Sequence, residues 1–275
     1  MTDTAASHRD SSGGGKKKRS AMLPREHGAY AQLGFPLLTA ILLGGPDPAV
    51  LLLTAAIIAV FLLHEPLMIL TGGRGGRAKR QEEGRARKRL ATLAGIALAA
   101  GLAGLWLAPM EARAAALIPA GLALLLLPLT LTRQEKTTTG ELLVAMTLPS
   151  SMIPVAISGG VAPAAPVIAA AVWAVVFALG TLTVRAIIAR ARKAAHPSWP
   201  PALAPILSGL AIAVALALAI SGVFPTIAAI AVVPTALVAL IFGVLDVHPR
   251  NLRRMGWSLV VSNIAVLAAL IAGLA

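Results

Sequence analysis

The sequence predicts an all-α, polytopic membrane protein, a helical bundle of about nine transmembrane helices. Three observations carry that prediction. The 275 residues are 57% hydrophobic and 13% charged, whereas a soluble domain carries about 25% charged residues. Apolar stretches of about 18 residues or more recur along the whole length, each enough to cross roughly 30 Å of hydrocarbon as a helix. All but one of the 24 Lys and Arg residues lie before the first stretch, or at the ends of the even-numbered stretches and in the loops after them. Basic residues distributed in this way belong to loops held on one side of a membrane.

The elements follow in order. Residues 1–22 are polar and low in complexity, with Gly13-Gly14-Gly15 running into Lys16-Lys17-Lys18-Arg19. This composition reads as a disordered basic cytoplasmic tail, followed by one membrane domain over 23–275. No small-residue cleavage site follows the first apolar run, so that run reads as an uncleaved helix rather than a signal peptide. Spans are expected at about 28–44, 49–70, 90–108, 113–132, 140–158, 164–188, 201–221, 224–244 and 256–274. The first is short and contains Pro36, which predicts a kink or a partly interfacial position. The fifth carries Pro149 and Pro154, which predict a break; membrane helices tolerate one when neighbours satisfy the freed carbonyls.

Arg113 is the one basic residue on the minority side. The asymmetry therefore predicts an N-terminus in the cytoplasm and a C-terminus outside. The formal charge of +13 raises the question of nucleic acid. Interleaving of the basic residues with apolar spans points instead to anionic lipid, so the bilayer is the expected partner and nucleic acid is not. There is no cysteine, which excludes disulfides and thiol chemistry.

Ionisable groups within spans are costly, on the order of 2.5–3.5 kcal/mol at the centre. Here they gather at the predicted cytoplasmic ends. His64-Glu65-Pro66 lies inside the end of the second span. Glu65 is either a functional intramembrane acid or an acid reaching for the interface beside a proline kink. The turn Thr71-Gly72-Gly73-Arg74-Gly75-Gly76-Arg77 follows. It reads as a solvated flexible loop, or as a phosphate cradle in which Arg74 and Arg77 supply guanidinium forks. Glu26 and His27 open the first span, as helix start and interfacial anchor or as binding groups. Glu141 follows Thr138 at capping-box spacing. Arg185 either reaches for the interface or pairs with Glu65 or Glu141. Asp246 and His248 read as a loop start, and Asn263 as an interhelical hydrogen bonder. The His and carboxylate spacings match no metal-ligand pattern, so no metal centre is read. No Walker loop, Ser/His/Asp arrangement or paired-Asp motif is present.

The opening Pro24-Arg25-Glu26-His27-Gly28-Ala29-Tyr30 resembles the first motif of the YwiC-like family of bacterial membrane proteins. Pro66-Leu67-Met68, Gly180-Thr181 with Val184-Arg185, and the stretch from Arg253 to Asn263 resemble that family too, so the likeness takes in nearly the whole chain. It implies a multi-pass membrane protein but no particular activity. Nine helices with this orientation are also distantly similar to UbiA-type intramembrane prenyltransferases. That likeness implies a prenyl diphosphate held by Mg²⁺ on Asp-rich loops after the second and sixth helices. The corresponding stretches here, His64 to Arg89 and Arg185 to His196, are basic and lack the paired Asp residues. Mg²⁺ is thus expected only if that chemistry is retained.

The expectation is a cytoplasm-facing pocket for an isoprenoid or lipid with an anionic head group. Arg74, Arg77 and Arg185 would meet the head group, with Glu26 and Glu141 beside them. His27, His64 and Glu65 would handle protons or orient the ligand. A proton- or ion-coupled transporter, with Glu65 and Arg185 as relay, and a non-catalytic scaffold are the rival classes.

Overall fold

A computed structural model describes residues 27–132, 134–191, 200–245 and 252–275. The basic tail over 1–22, Glu26, Asp246 and His248 lie outside the described residues, as does the side chain of His27. Twelve helices are described: α1 His27–Gly44, α2 Pro48–Leu70, α3 Gly76–Leu107, α4 Met110–Ala115, α5 Leu117–Leu131, α6 Thr138–Ser150, α7 Met152–Ser158, α8 Ala164–Ala191, α9 Leu203–Ser221, α10 Thr226–Ile230, α11 Val233–Val244 and α12 Leu252–Leu274. Three pairs, α4–α5, α6–α7 and α10–α11, each run on as a single apolar span. Eight spans are long and apolar enough to cross a membrane, and α1 is a shorter apolar helix. The nine predicted spans are all present, and the chain folds as a polytopic helical bundle.

Proline explains the interruptions, because it lacks the N–H that would close the helical ladder. The predicted break in the fifth span is at Ser151, between Pro149 and Pro154. There Ser150 and Ser151 donate their hydroxyls to the carbonyls of Thr147 and Leu148. The eighth span breaks too, after Ile230, with Pro234 in the first turn of α11. Pro36, by contrast, leaves α1 continuous. The basic stretch after Gly75 differs from expectation, because helix α3 begins at Gly76 and carries Arg77 to Arg89 as an extension of the third span. Its residues are good helix formers apart from Gly84, and buried Ala86 seats this extension against Ile69 of α2.

The core lies between α1, α7 and α8, and is closed by α6, α11 and α12. Trp173 of α8 stacks between Phe35 and Phe177, with ring centroids 5.5 and 5.3 Å away. Its indole N–H donates to Thr39 Oγ1 at 3.0 Å, and Thr39 in turn donates to the Phe35 carbonyl. The buried indole is satisfied without water, as hydrocarbon surroundings require. Small residues bring other helices close. A Cβ on Gly159 would lie 2.6 Å from the Gly44 Cα, so the ends of α1 and α7 pack backbone to backbone.

The most apolar windows of α3 and α4–α5 are 6% and 0% buried. Leu98, Leu102, Trp106, Leu124 and Leu125 are exposed on them. An apolar surface of this extent is covered by lipid in a membrane protein and would aggregate in water.

Candidate functional site

Three cross-links tie the helix ends together on the basic side of the bundle. Glu65 at the end of α2 is 3% exposed and is gripped by both arms of Arg74. Nε of Arg74 donates to Oε1 at 2.9 Å, and Nη2 donates to Oε2. Two parallel charge-assisted bonds make this the fork geometry in which Arg is strongest. The turn after α2 makes the grip possible: Arg74 N–H bonds back to the Met68 carbonyl, which folds the loop under the helix end. Next to it, His64 Nε2 donates to Glu135 Oε2 at 3.0 Å, joining α2 to the segment before α6. On α8, Arg185 Nε donates to Glu141 Oε2 at 2.6 Å, and its Nη2 donates to the Lys136 carbonyl. The segment 134–137 therefore bridges α2 and α8. Arg190, one turn further along α8, donates to the carbonyls of Gly243 and Leu245 and caps α11. Among the described residues every Lys and Arg except Arg113 belongs to this side. Arg113 bonds to the Trp106 and Ala108 carbonyls at the far end of α3.

The N-cap of α6 differs from expectation by one residue. Thr137, not Thr138, is the cap, and its hydroxyl accepts from the Gly140 N–H at 3.1 Å. That shift frees the Glu141 carboxylate to reach Arg185. Of the two partners expected for Arg185, the fold selects Glu141.

A cavity of about 600 Å³ opens between α1, α8 and α12, a size typical of small-molecule sites. Gly28, Ala31 and Gln32 of α1 form one wall. Val176, Phe177, Gly180, Thr181 and Val184 of α8 form another, and Trp257, Leu259 and Val260 of α12 a third. Glu141 and Arg253 stand at helix starts on the basic side, while Thr235 and Asn263 lie deeper. Glu141 is already paired, whereas Arg253 is exposed and has no carboxylate partner among the described residues. Asn263 is 5% exposed and its Oδ1 has no hydrogen-bond partner. Pro36 has no N–H to give the Gln32 carbonyl, so that wall also carries an acceptor without its helical donor.

Of the residues singled out in the sequence, Glu141 lines the cavity and Arg185 supports it from behind. His64, Glu65, Arg74 and Arg77 do not line it. Arg77 is exposed on the first turn of α3. Gly28 with Gly180-Thr181, Val184 and the stretch from Arg253 to Asn263, far apart in the chain, meet around this single space. Glu135, Gln32 and Thr235 escaped sequence reading. For Gln32 a signal existed, since it stands four residues before a helical proline.

Residues 23–157 match the family model described as YwiC-like protein. Over that stretch, just under half of its length, the chain is similar to the YwiC-like family. The match covers the first five spans of a multi-pass membrane protein. The resemblances drawn at Gly180-Thr181 and from Arg253 to Asn263 lie beyond it. No curated protein and no solved structure matches the chain.

Proposed function

We propose that this YwiC-like chain binds an amphiphile, an isoprenoid or other lipid with an anionic head group, in the cavity between α1, α8 and α12. The observation that carries the reading is Arg253, a guanidinium with no carboxylate partner among the described residues, at the mouth of a largely apolar space. Arg suits phosphate and carboxylate because its fork makes two parallel bonds. Apolar walls from Val176, Phe177, Val184, Leu259 and Val260 suit a hydrocarbon tail. The Glu141–Arg185 pair fixes the mouth and, being neutralised within itself, leaves Arg253 as the cation that meets the head group. Paired as they are with Glu135 and Arg74, His64 and Glu65 hold the cytoplasmic ends of the helices in place. The basic side faces the cytoplasm of a bacterial inner membrane in this reading, because loops rich in Lys and Arg are retained there.

A UbiA-like transferase is the catalytic version of the same proposal. The Mg²⁺ it implies needs clustered carboxylates. Among the described residues no three of His, Asp or Glu come together as a metal site, and Glu65 and Glu141 are held by Arg. The donor set does not suit that ion, so binding is the reading the residues support. The breaks at Ser151 and after Ile230 favour a second reading, a transporter, since interrupted helices line many solute paths.

Native mass spectrometry of the purified protein tests the binding site. Arg253→Gln and Gly180→Leu should each lose a co-purified amphiphile that wild type and Arg87→Gln retain. A Cβ at Gly180 meets nothing nearer than Leu259 Cδ1 at 3.8 Å, so the larger side chain has room to enter the cavity. An amphiphile kept by both cavity variants would refute the site. Uptake of solute by proteoliposomes with no bound amphiphile would favour the transporter.

A further inference from the structure

Resting on the amphiphile reading, we infer that the ligand is bipolar: an anionic group at Arg253 and a hydroxyl about 15 Å deeper, at Asn263. The distance follows from the helix itself. Arg253 and Asn263 are ten residues apart on α12, and each residue rises about 1.5 Å. Gly256, Trp257, Leu259 and Val260 lie between them along the same wall. A simple hydrocarbon tail would meet only apolar groups at such depth, yet here it would meet an amide.

The amide is unusual in being unpaid by the protein. Asn263 is buried, and Oδ1 finds no donor among the described residues. Leaving a buried carbonyl unpaired is unfavourable, and one at membrane depth has no bulk water to turn to. Its neighbours do not supply the missing bond. Thr235 donates its hydroxyl to Ser262 Oγ at 3.0 Å, and Ser262 donates onward to the Leu259 carbonyl at 2.9 Å. Those two hydroxyl protons are committed elsewhere, and the cavity that Asn263 lines is where a ligand can present a donor to its amide. A hydroxyl both donates and accepts, so it matches the amide in either rotation about its last torsion.

Two matched probes decide the matter: an alkyl phosphate carrying a terminal hydroxyl about 15 Å from the phosphorus, and the same molecule ending in a methyl group. Each is titrated into detergent-solubilised wild type, Asn263→Leu, Asn263→Ala and Arg253→Gln, with binding read by native mass spectrometry. Wild type should prefer the hydroxyl probe by about tenfold, the worth of one well-made buried hydrogen bond. Both Asn263 variants should lose that preference while still binding the methyl probe, and Arg253→Gln should weaken both probes alike. Equal binding of the two probes to wild type would overturn the bipolar ligand and leave the amphiphile site standing. A preference that survives in whichever Asn263 variant folds would overturn it too. Failure of both probes to bind wild type would sink the site and this inference together.

Discussion

Replacing Arg74 by Ala should be among the most damaging single changes to the stability of this protein. Glu65 is 3% exposed, and Arg74 takes both of its carboxylate oxygens. Truncating the arginine leaves a buried carboxylate with neither counter-charge nor donors. Breaking a buried pair in this way costs about 3–5 kcal/mol. The Arg74 side chain is 17% exposed, so water reaches the pair from one side and the lower end, about 3 kcal/mol, is the better expectation. The double variant Glu65→Met/Arg74→Met removes both charges and should cost much less, about 1 kcal/mol or below, because a buried ion pair is nearly matched by apolar residues of similar length. The assay is unfolding in mixed micelles of increasing denaturing detergent, followed by tryptophan fluorescence, since Trp173 sits in the core. The ordering matters more than the absolute values. If Arg74→Ala proves no less stable than the double variant, Glu65 is not stranded by loss of its partner, and the buried-pair argument is wrong.

Three further outcomes can be checked with standard measurements. Gly159→Ala puts a methyl group 2.6 Å from the Gly44 Cα and should destabilise by about 1–3 kcal/mol through overpacking, read in the same unfolding assay. Thr137→Ala removes the cap of α6 and should cost about 1 kcal/mol; Thr138→Ala should leave that cap intact. The chain has no cysteine, so single cysteines at Gly75 and Gly160 can be probed from the outside of intact cells. A membrane-impermeant thiol reagent should reach position 160 and not 75, and the reverse pattern would invert the proposed orientation.

The helices were legible in the sequence for a physical reason. A lipid-facing helix must be apolar along its whole length, so each span announces itself within its own residues, and the basic loops mark which ends lie together. The breaks were partly legible. Pro149 and Pro154 sit close together and predicted the interruption at Ser151, whereas Pro234 near the middle of an apolar run gave less warning of the break before α11. The α3 extension was misread because a basic, Gly-flanked stretch looks like a loop, although Ala, Arg, Lys, Gln and Glu within it are good helix formers. What held it to the fold was a tertiary contact, Ala86 on Ile69, which composition does not carry.

The candidate site was harder to see because charge is a poor guide to it. Sequence reading favours ionisable residues near span ends, and the structure brings most of the described ones into pairs: Glu65 with Arg74, His64 with Glu135, Glu141 with Arg185. A pair closed within the protein stabilises the bundle and has little capacity left for a ligand. Around the cavity, the described groups with unspent hydrogen-bonding capacity are a different set: Arg253 at the mouth and the amide of Asn263 within. Each looks ordinary in sequence, one as a loop-edge arginine and the other as an interhelical bonder. The packing of α1, α8 and α12 around a shared space leaves Arg253 without a carboxylate partner and Asn263 Oδ1 without a donor among the described residues. In a membrane bundle this shifts the search for function from the costliest side chains to the least satisfied ones, since burial without a partner is what a bound molecule can relieve.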